Sequence, residues 1–174
     1  MNISQVTTAI HVATFRLAPN TKKAWLSMDW ATTDKDLLKD PAGRVYLLVV
    51  DGVIMKVGGS ADAGGIRRTL TTYASGNTGR PSIRTYGIAL LIREALEAGS
   101  VVEAHLIPSE RVVAPVKGLF GKTEGLVASF KEMEQKCLSD FVATDGQLPE
   151  WNFQEAGRPW NRHIQEAHAA TLRL

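Results

Sequence analysis

The sequence predicts an α+β fold, in which a small three-stranded antiparallel sheet is flanked by helices and carries extensions at both termini. The first observation is a pair of apolar runs joined by Asp51-Gly52, residues that tolerate the positive φ angles of a two-residue hairpin. The second is the helical spacing of apolar residues after this hairpin, interrupted by one more strand-like run. The hairpin and the later run give three strands, and the periodic segments give the helices.

The three predicted strands are short runs rich in β-branched and aliphatic residues. Pro41-Ala42-Gly43 breaks the chain, and Arg44 to Val50 follows as the first strand. Val53 to Val57 is the second strand, which Gly58-Gly59-Ser60 ends. Val101 to Ile107 alternates well enough to form the third strand.

Helices and irregular connections alternate through the rest of the chain. Clusters of glycine, proline and small polar residues mark the connections. The predicted helices are a short one carrying Ile66, Leu70 and Tyr73, then Gly87 to Ala98, Leu126 to Val142, and a terminal helix from about Arg162. The predicted connections are Ala74 to Tyr86 and Pro108 to Gly125.

The first 40 residues carry mixed signals. A strand is predicted at Thr7 to Phe15, and one or two helices are predicted between Thr21 and Lys39. With 174 residues and 44% apolar content, the chain is long enough to bury one core. We expect a single domain over 1–174, with a core at about 43–152, an N-terminal extension 1–42 and a C-terminal extension 153–174.

Composition excludes several classes of protein. Cys137 has no second cysteine to pair with, which excludes an internal disulfide and a multi-cysteine zinc site. Met1 to Arg16 lacks the basic-then-apolar pattern of a signal peptide, and no apolar run reaches the roughly 18 residues of a membrane span. We expect a soluble protein of the reducing cytoplasm.

Positive charge is concentrated in the middle of the chain, although the net charge is only +2. Between Pro41 and Arg93 there are seven basic residues and two acidic ones. Such a stretch suits a polyanion such as a nucleic-acid backbone, and ordinary solvated cations are the alternative interpretation. The basic residues are Arg44, Lys56, Arg67, Arg68, Arg80, Arg84 and Arg93, and the acidic ones are Asp51 and Asp62.

A family resemblance appears where the hairpin is followed by Gly-Gly-Ser and a helix with paired arginines. Arg44-Val45-Tyr46 lies on the first strand, and Lys56-Val57-Gly58 lies on the second. Over about 43–152 the chain resembles the core of the GIY-YIG nucleases, with Tyr46 as the tyrosine of the first motif. Arg44 replaces the first glycine of the pattern, and Lys56 replaces the second tyrosine, as in restriction-enzyme-like branches.

The resemblance implies an arginine on the next helix and a glutamate on a later one. Arg67 is the candidate arginine, and Arg68 is the alternative. Glu134 is the candidate metal ligand, with Glu132 as the alternative, because a helical glutamate precedes a Pro-x-aromatic-Asn exit in the family. That exit ends at Asn152, which is expected to brace the wall of the site and to belong to its substrate-binding set.

The resemblance also implies how such a site would cleave a phosphodiester. Tyr46 would be the general base, and Lys56 would favour its phenolate or orient the attacking water, because an unperturbed tyrosine has a pKa of about 10. Arg67 would clamp the nonbridging phosphate oxygens. Glu134 would hold one Mg²⁺ or Mn²⁺ beside the leaving group, with water completing the coordination.

Further substrate contacts are expected from Arg68 and from two arginines in the predicted loop, Arg80 and Arg84. An ordinary surface connection is the alternative interpretation of that loop. The compact chain, without zinc finger or long linker, favours a type II restriction endonuclease acting on double-stranded DNA. A homodimer on a palindrome is the simple geometry, because each core has one site and two strands must be cut.

Two other functions remain open. A non-catalytic DNA-binding protein, or a phage or repair accessory protein, would keep the fold without the activity, and the lysine at position 56 favours it. An unrelated α+β interaction domain would place Tyr46, Arg67 and Glu134 far apart. Metal-dependent cleavage of DNA separates the enzyme from both.

Overall fold

A five-stranded antiparallel sheet forms the centre of the computed structural model, which describes residues 1–19, 24–109, 112–127 and 130–172. Its strand order, β2-β1-β5-β3-β4, leaves β4 at one edge. The strands are β1 (Ile10–Leu17), β2 (Leu26–Trp30), β3 (Arg44–Val50), β4 (Val53–Ser60) and β5 (Val102–Pro108).

Helices cover both faces of this sheet, and a second, two-stranded sheet forms a separate hairpin. The helices are α1 (Lys35–Lys39), α2 (Gly65–Ala74), α3 (Ile83–Glu97), α4 (Phe130–Asp145) and α5 (Arg162–Thr171), preceded by a 3-10 turn at Ile3–Gln5. The separate hairpin consists of β6 (Val112–Gly118) and β7 (Gly121–Val127). Within the described ranges, no helix has the length and apolarity that a membrane crossing requires.

The central strand β3 supplies side chains to two cores, because successive residues of a strand point to opposite faces. Tyr46 and Leu48 belong to the core beneath α2 and α3, whereas Val45, Leu47 and Val49 belong to the core beneath α4. This alternation places the predicted catalytic tyrosine on the α2 and α3 side of the sheet.

The predicted hairpin of β3 and β4 is present. Asp51 has φ 48° and Gly52 has φ 81°, the positive angles that such a tight turn demands. The register shifts between Leu48 and Val49, so that Met55 is the extra residue of β4 opposite them. The bulge frees the Met55 carbonyl, which accepts a hydrogen bond of 2.8 Å from the Trp151 N–H.

The α+β class is confirmed, but the prediction of a three-stranded sheet is wrong. The strand predicted at Thr7 to Phe15 is present as β1, and the region predicted as helical contains β2 as well as the short α1. Burial along β2 alternates, with exposed Ser27 and Asp29 between more buried neighbours. This alternation has a period of two, and pairing with β1 outweighs helix propensity.

Two predicted connections also contain more regular structure than expected. The segment Pro108 to Gly125 holds β6 and most of β7. The connection after α2 ends at Ser82, whose hydroxyl accepts a hydrogen bond of 3.2 Å from the Thr85 N–H and caps α3. Arg84 therefore lies in the first turn of a helix and not in a loop.

Candidate active site

The β3–β4 hairpin places Tyr46 and Lys56 on one face of the sheet. Tyr46 pairs with Gly58, and Leu48 pairs with Lys56, so the two candidate side chains are diagonal neighbours on adjacent strands. Each has only 2% of its surface exposed. Gly58 leaves the space that the phenol occupies, because a Cβ at that position would overlap the Tyr46 hydroxyl.

A second tyrosine completes the surroundings of Tyr46. Tyr73, on α2, places its hydroxyl oxygen 2.5 Å from that of Tyr46, and the ring centroids are 6.0 Å apart. Arg84, on α3, lies close enough to both phenols for its charge to act on each of them. A strand and two helices therefore meet at this pair of hydroxyls.

The buried position keeps both phenols protonated. Burial raises the pKa of Tyr46 well above its ordinary value, and the neighbouring Tyr73 adds to the increase. Burial also raises the pKa of Tyr73, although its hydrogen bond to Tyr46 and the nearby Arg84 act in the opposite direction. At neutral pH the surroundings thus favour a neutral phenol at Tyr46 over the phenolate.

Lys56 titrates close to neutral pH. Burial lowers the pKa of Lys56 to about 8, against the opposing effect of Glu155. The positive charge of Arg84 lowers this pKa further, and Glu134 raises it. An amine with such a pKa is partly neutral near pH 8 and can accept or give up a proton there.

Arg84 supplies the positive charge beside the tyrosines. Burial by itself would lower the pKa of Arg84, but Tyr73, Tyr46 and Glu155 together raise it above the ordinary value. The Nη2 atom lies 3.9 Å from Oε1 of Glu155, which follows α4 in the chain. The guanidinium is therefore charged and is held by groups from three different segments.

Glu134 approaches β4 from the α4 side of the sheet. Its Oε1 accepts a hydrogen bond of 2.7 Å from the Gly59 N–H, which is open because β4 is an edge strand. A Cβ at Gly59 would lie 2.6 Å from Oε2 of Glu134, so the carboxylate needs glycine at this position. Glu134 also raises the pKa values of Tyr46 and Lys56, which places its charge within electrostatic range of both.

Asn152 fixes the outer edge of β4 between these groups. Its side-chain oxygen accepts a hydrogen bond of 2.9 Å from the Val57 N–H, and its Nδ2 donates one of 2.8 Å to the Val57 carbonyl. Asn152 is fully buried. Because both ends of the amide are bonded to backbone, Asn152 is placed to position the strand that carries Lys56, Gly58 and Gly59.

The two arginines of α2 lie on its exposed side. The Arg67 guanidinium carbon lies 5.6 Å from the centroid of the Trp30 ring. The Arg68 Nε lies 3.6 Å from an oxygen of Asp62. The buried residues of α2, which include Ile66, Leu70 and Tyr73, face the opposite way.

The structure thus brings together four of the candidate side chains and separates others. Arg84 and Glu134 each interact electrostatically with Tyr46 and with Lys56, and it is Arg84, not Arg67, that lies beside Tyr46. Arg80 is exposed in the connection between α2 and α3. Glu132 lies on the first turn of α4, and it is Glu134 that bonds to Gly59.

The carboxylates of this cluster suit a hard divalent cation that keeps much of its water. Within the residues that the structure describes, no three side chains of histidine, cysteine, aspartate or glutamate converge into a metal-binding group. Glu134 has one oxygen bonded to Gly59, which leaves Oε2 for a ligand. One carboxylate, several waters and a substrate phosphate is an arrangement that Mg²⁺ accepts.

Two solved structures resemble this one over most of its length. A mutant form of bacteriophage T4 EndoII aligns with a TM-score of 0.58 and 15% sequence identity, covering 87% of this chain and 98% of that chain. The chain shares the fold of this protein. The restriction endonuclease HPY188I in complex with product DNA aligns with a TM-score of 0.50 and 18% identity, covering 86% of this chain and 84% of that chain. No family model and no curated protein matches the sequence.

Two residues of the cluster, Tyr73 and Glu155, are not among the site residues that the sequence predicts. Tyr73 follows Ile66 and Leu70 on a helical stripe, and a tyrosine in such a stripe indicates core packing before it indicates chemistry. The signal in the sequence was the hydroxyl of Tyr73, because a tyrosine hydroxyl that is buried needs a hydrogen-bond partner. Glu155 follows the Pro-Glu-Trp-Asn exit, and nothing in the local sequence points to its contact with Arg84.

Proposed function

We propose that this protein is a metal-dependent DNA endonuclease of the GIY-YIG type, and that it acts as a site-specific type II restriction endonuclease. The observation that carries the proposal is the convergence of Tyr46, Lys56, Arg84 and Glu134 around the end of β4. These groups supply a proton acceptor, fixed positive charge and a metal-binding carboxylate, which are the requirements for phosphodiester hydrolysis. The fold shared with a restriction endonuclease supports the assignment.

In the proposed reaction, Lys56 takes the proton of the attacking water. A general base works best when its pKa lies near the working pH, and the pKa of Lys56 is about 8. The raised pKa of Tyr46 makes its phenol a hydrogen-bond donor at neutral pH. Tyr46 therefore orients the water or a phosphate oxygen, which differs from the base role implied by the family resemblance.

The charge that develops on the pentavalent phosphate is balanced by Arg84 in the same proposal. Its guanidinium is held by Tyr46, Tyr73 and Glu155, so it requires little reorganisation when charge develops. Arg67 is exposed, and its guanidinium lies over the ring of Trp30. Arg67, Arg68 and Arg80 would then bind the DNA backbone outside the reacting phosphate.

Glu134 is the proposed metal ligand. Bound Mg²⁺ or Mn²⁺ would supply positive charge beside the reacting phosphate. The Gly59 N–H fixes Oε1 of Glu134, and Oε2 is the atom left to bind the ion. Each chain would hold one such site, and double-stranded DNA has two strands to cut. A homodimer on the DNA is therefore favoured.

Cleavage of a mixed plasmid and phage DNA substrate in Mg²⁺ tests this proposal. We expect discrete fragments with the parent protein, none with EDTA, and loss of at least about 100-fold in rate for Glu134→Gln. Glu150→Gln, an exposed carboxylate at the exit after α4, is the matched control and should cleave like the parent. A smear in place of discrete fragments would reject the site-specific role, and cleavage that survives EDTA would reject the metal.

A non-catalytic DNA-binding protein is the second candidate. The observation that favours it is the closed pair of Tyr46 and Tyr73, in which each hydroxyl has the other as its partner and both phenols are buried. Electrophoretic mobility shift in the same buffers distinguishes the two functions. Binding of DNA without any cleavage in Mg²⁺ or Mn²⁺ would establish this second function.

A further inference from the structure

The hairpin of β6 and β7 is a feature that the proposed active site does not use. It follows β5, precedes α4 and forms a sheet of its own. From Val113 to Glu124 every residue except Ala114 is exposed. Seven residues per strand extend roughly 20 Å, so the hairpin stands away from the body of the protein as an arm.

The tip of this arm carries two large apolar side chains in water. Gly118 pairs with Gly121, which leaves Leu119 and Phe120 as the two residues of the turn. Leu119 is 94% exposed and Phe120 is 101% exposed. Turns of this length favour glycine, asparagine, aspartate and other polar residues, so the turn itself does not require a leucine and a phenylalanine.

Two lysines flank this apolar tip. Lys117 and Lys122 lie directly opposite each other on the two strands, immediately before Gly118 and after Gly121. Like charges in opposite positions of an antiparallel pair destabilise it. The segment from Lys117 to Lys122 contains no acidic residue. An anion that pairs with these two lysines must therefore come from outside the segment.

We propose that this arm is a DNA-binding element, in which Phe120 and Leu119 wedge against a base step while Lys117 and Lys122 contact the phosphates on either side. A two-stranded ribbon can enter a groove of DNA, and apolar side chains inserted from the minor groove partly unstack base steps. The paired lysines select duplex DNA over a second copy of this chain, because two opposed cations match a polyanion and repel an identical tip. The inference rests on the proposed function and adds a contact to it.

The test measures binding and not cleavage. The Glu134→Gln protein without divalent metal is titrated into a labelled mixed-sequence duplex at several salt concentrations. Replacing both lysines by glutamine should make the slope of log affinity against log salt shallower by about 0.9 per lysine. Replacing Leu119 and Phe120 by alanine should weaken binding about tenfold and leave the slope unchanged, because stacking and wedging carry no charge.

Control variants at other exposed positions lie away from the arm. Val101→Ala is the apolar control, because Val101 is 49% exposed, and Lys35→Gln is the cationic control on the exposed surface of α1. Both should leave affinity and slope unchanged. A Phe120→Trp variant provides a direct signal, since an indole stacked on bases should lose fluorescence when DNA is added.

The outcomes distinguish this inference from the proposed function. If the hairpin variants bind DNA with the parent affinity and slope, the arm is not a DNA contact, whether or not the enzyme cleaves. If the parent protein sediments as a dimer, and the Phe120→Ala variant sediments as a monomer with unchanged DNA affinity, the arm is an interface between copies of the chain. If the parent protein never cleaves DNA but the hairpin variants bind DNA more weakly than the parent, the arm is a DNA contact and the proposed nuclease function is wrong.

Discussion

Burial acts on Tyr46 and Lys56 in the same sense, because it disfavours the charged form of each. It raises the pKa of the phenol and lowers the pKa of the amine to about 8. The two groups are diagonal neighbours on one face of the hairpin, so their protonation states are set by one environment. Near neutral pH this environment makes Tyr46 a donor and leaves Lys56 as the group able to exchange a proton.

The pH dependence of cleavage should report this lysine. If Lys56 must be neutral to accept a proton, the rate rises as pH increases through about 8 and levels off above it. Single-turnover rates from pH 6 to 10 at saturating metal measure the profile, and Lys56→Arg, which stays protonated throughout, should be inactive. A rate that falls over the same range would assign Lys56 the role of an acid or a fixed cation.

The stability of Lys56→Met separates loss of chemistry from loss of fold. Below about pH 8 the buried Lys56 is protonated in the folded state, and this lowers the stability of the fold. The loss of stability shrinks as the pH rises from about 8 towards 10.5, the pKa of the lysine in the unfolded chain. Replacing Lys56 by methionine removes this loss. The pKa of the lysine differs by about 2.5 units between the unfolded and folded states, so the free energy of unfolding at pH 7 should rise by about 3 kcal/mol. Urea denaturation at pH 7 and pH 10 measures the change, which should shrink at the higher pH.

A matched pair of arginine variants tests which guanidinium serves the reaction. Arg84→Met removes the positive charge beside Tyr46 and Tyr73, and we expect a loss of about 100-fold or more in the cleavage rate. Arg67→Met removes an exposed side chain over Trp30 and should weaken DNA binding, most at low salt, with little change in the maximal rate. The reverse order of effects would return the catalytic role to Arg67.

At the scale of elements, the edge strand β4 organises the site because its two faces and its open edge receive different partners. Gly58 admits the phenol on one face, and Gly59 admits Glu134 from the α4 side. Asn152 binds the backbone of Val57 along the open edge. The exit segment after α4 therefore completes the sheet edge as another strand would.

Asn152→Ala should be strongly destabilising. It removes two hydrogen bonds and leaves a buried N–H and a buried carbonyl of Val57 without their partner, which costs on the order of 1–3 kcal/mol for each group. Asn161→Ala is the control, because Asn161 precedes α5 without a side-chain capping bond and its change should have little effect. Thermal denaturation followed by circular dichroism measures both, and equal melting temperatures would contradict the positioning role.

For the whole molecule, the N-terminal residues are part of the main sheet and not an appendage. β1 lies between β2 and β5, and Val12 and Phe15 are fully buried in the core beneath α2 and α3. The Met1 amino group also lies 2.8 Å from a carboxylate oxygen of Asp145 at the end of α4. The segment therefore packs against both faces of the sheet.

Deleting residues 1–31 should prevent folding even though the catalytic candidates remain. The deletion removes two strands, exposes the backbone edge of β5 and uncovers apolar side chains of the core. We expect an aggregated product with no cooperative thermal transition, measured by light scattering and calorimetry. A soluble, cooperatively melting core at 32–174 would show that the two strands are dispensable.

The sequence by itself determined the features that depend on neighbouring residues. The Asp51-Gly52 turn required positive φ angles, so it specified the hairpin that carries Tyr46 and Lys56. Apolar periodicity located the longer helices, including the one with Glu134. Leu26 to Trp30 alternates apolar and polar residues over only five positions, and a strand this short is stabilised by its partner more than by its own propensity.

Only the tertiary structure decided which groups meet and how they are charged. Arg84 lies 38 residues along the chain from Tyr46, and the packing of α3, not any local motif, directs its guanidinium to the phenols. Tyr73 became part of the site because α2 buries the side that carries it and exposes Arg67. Burial sets the pKa values of Tyr46 and Lys56, and burial arises from contacts between distant segments, which a linear sequence does not display.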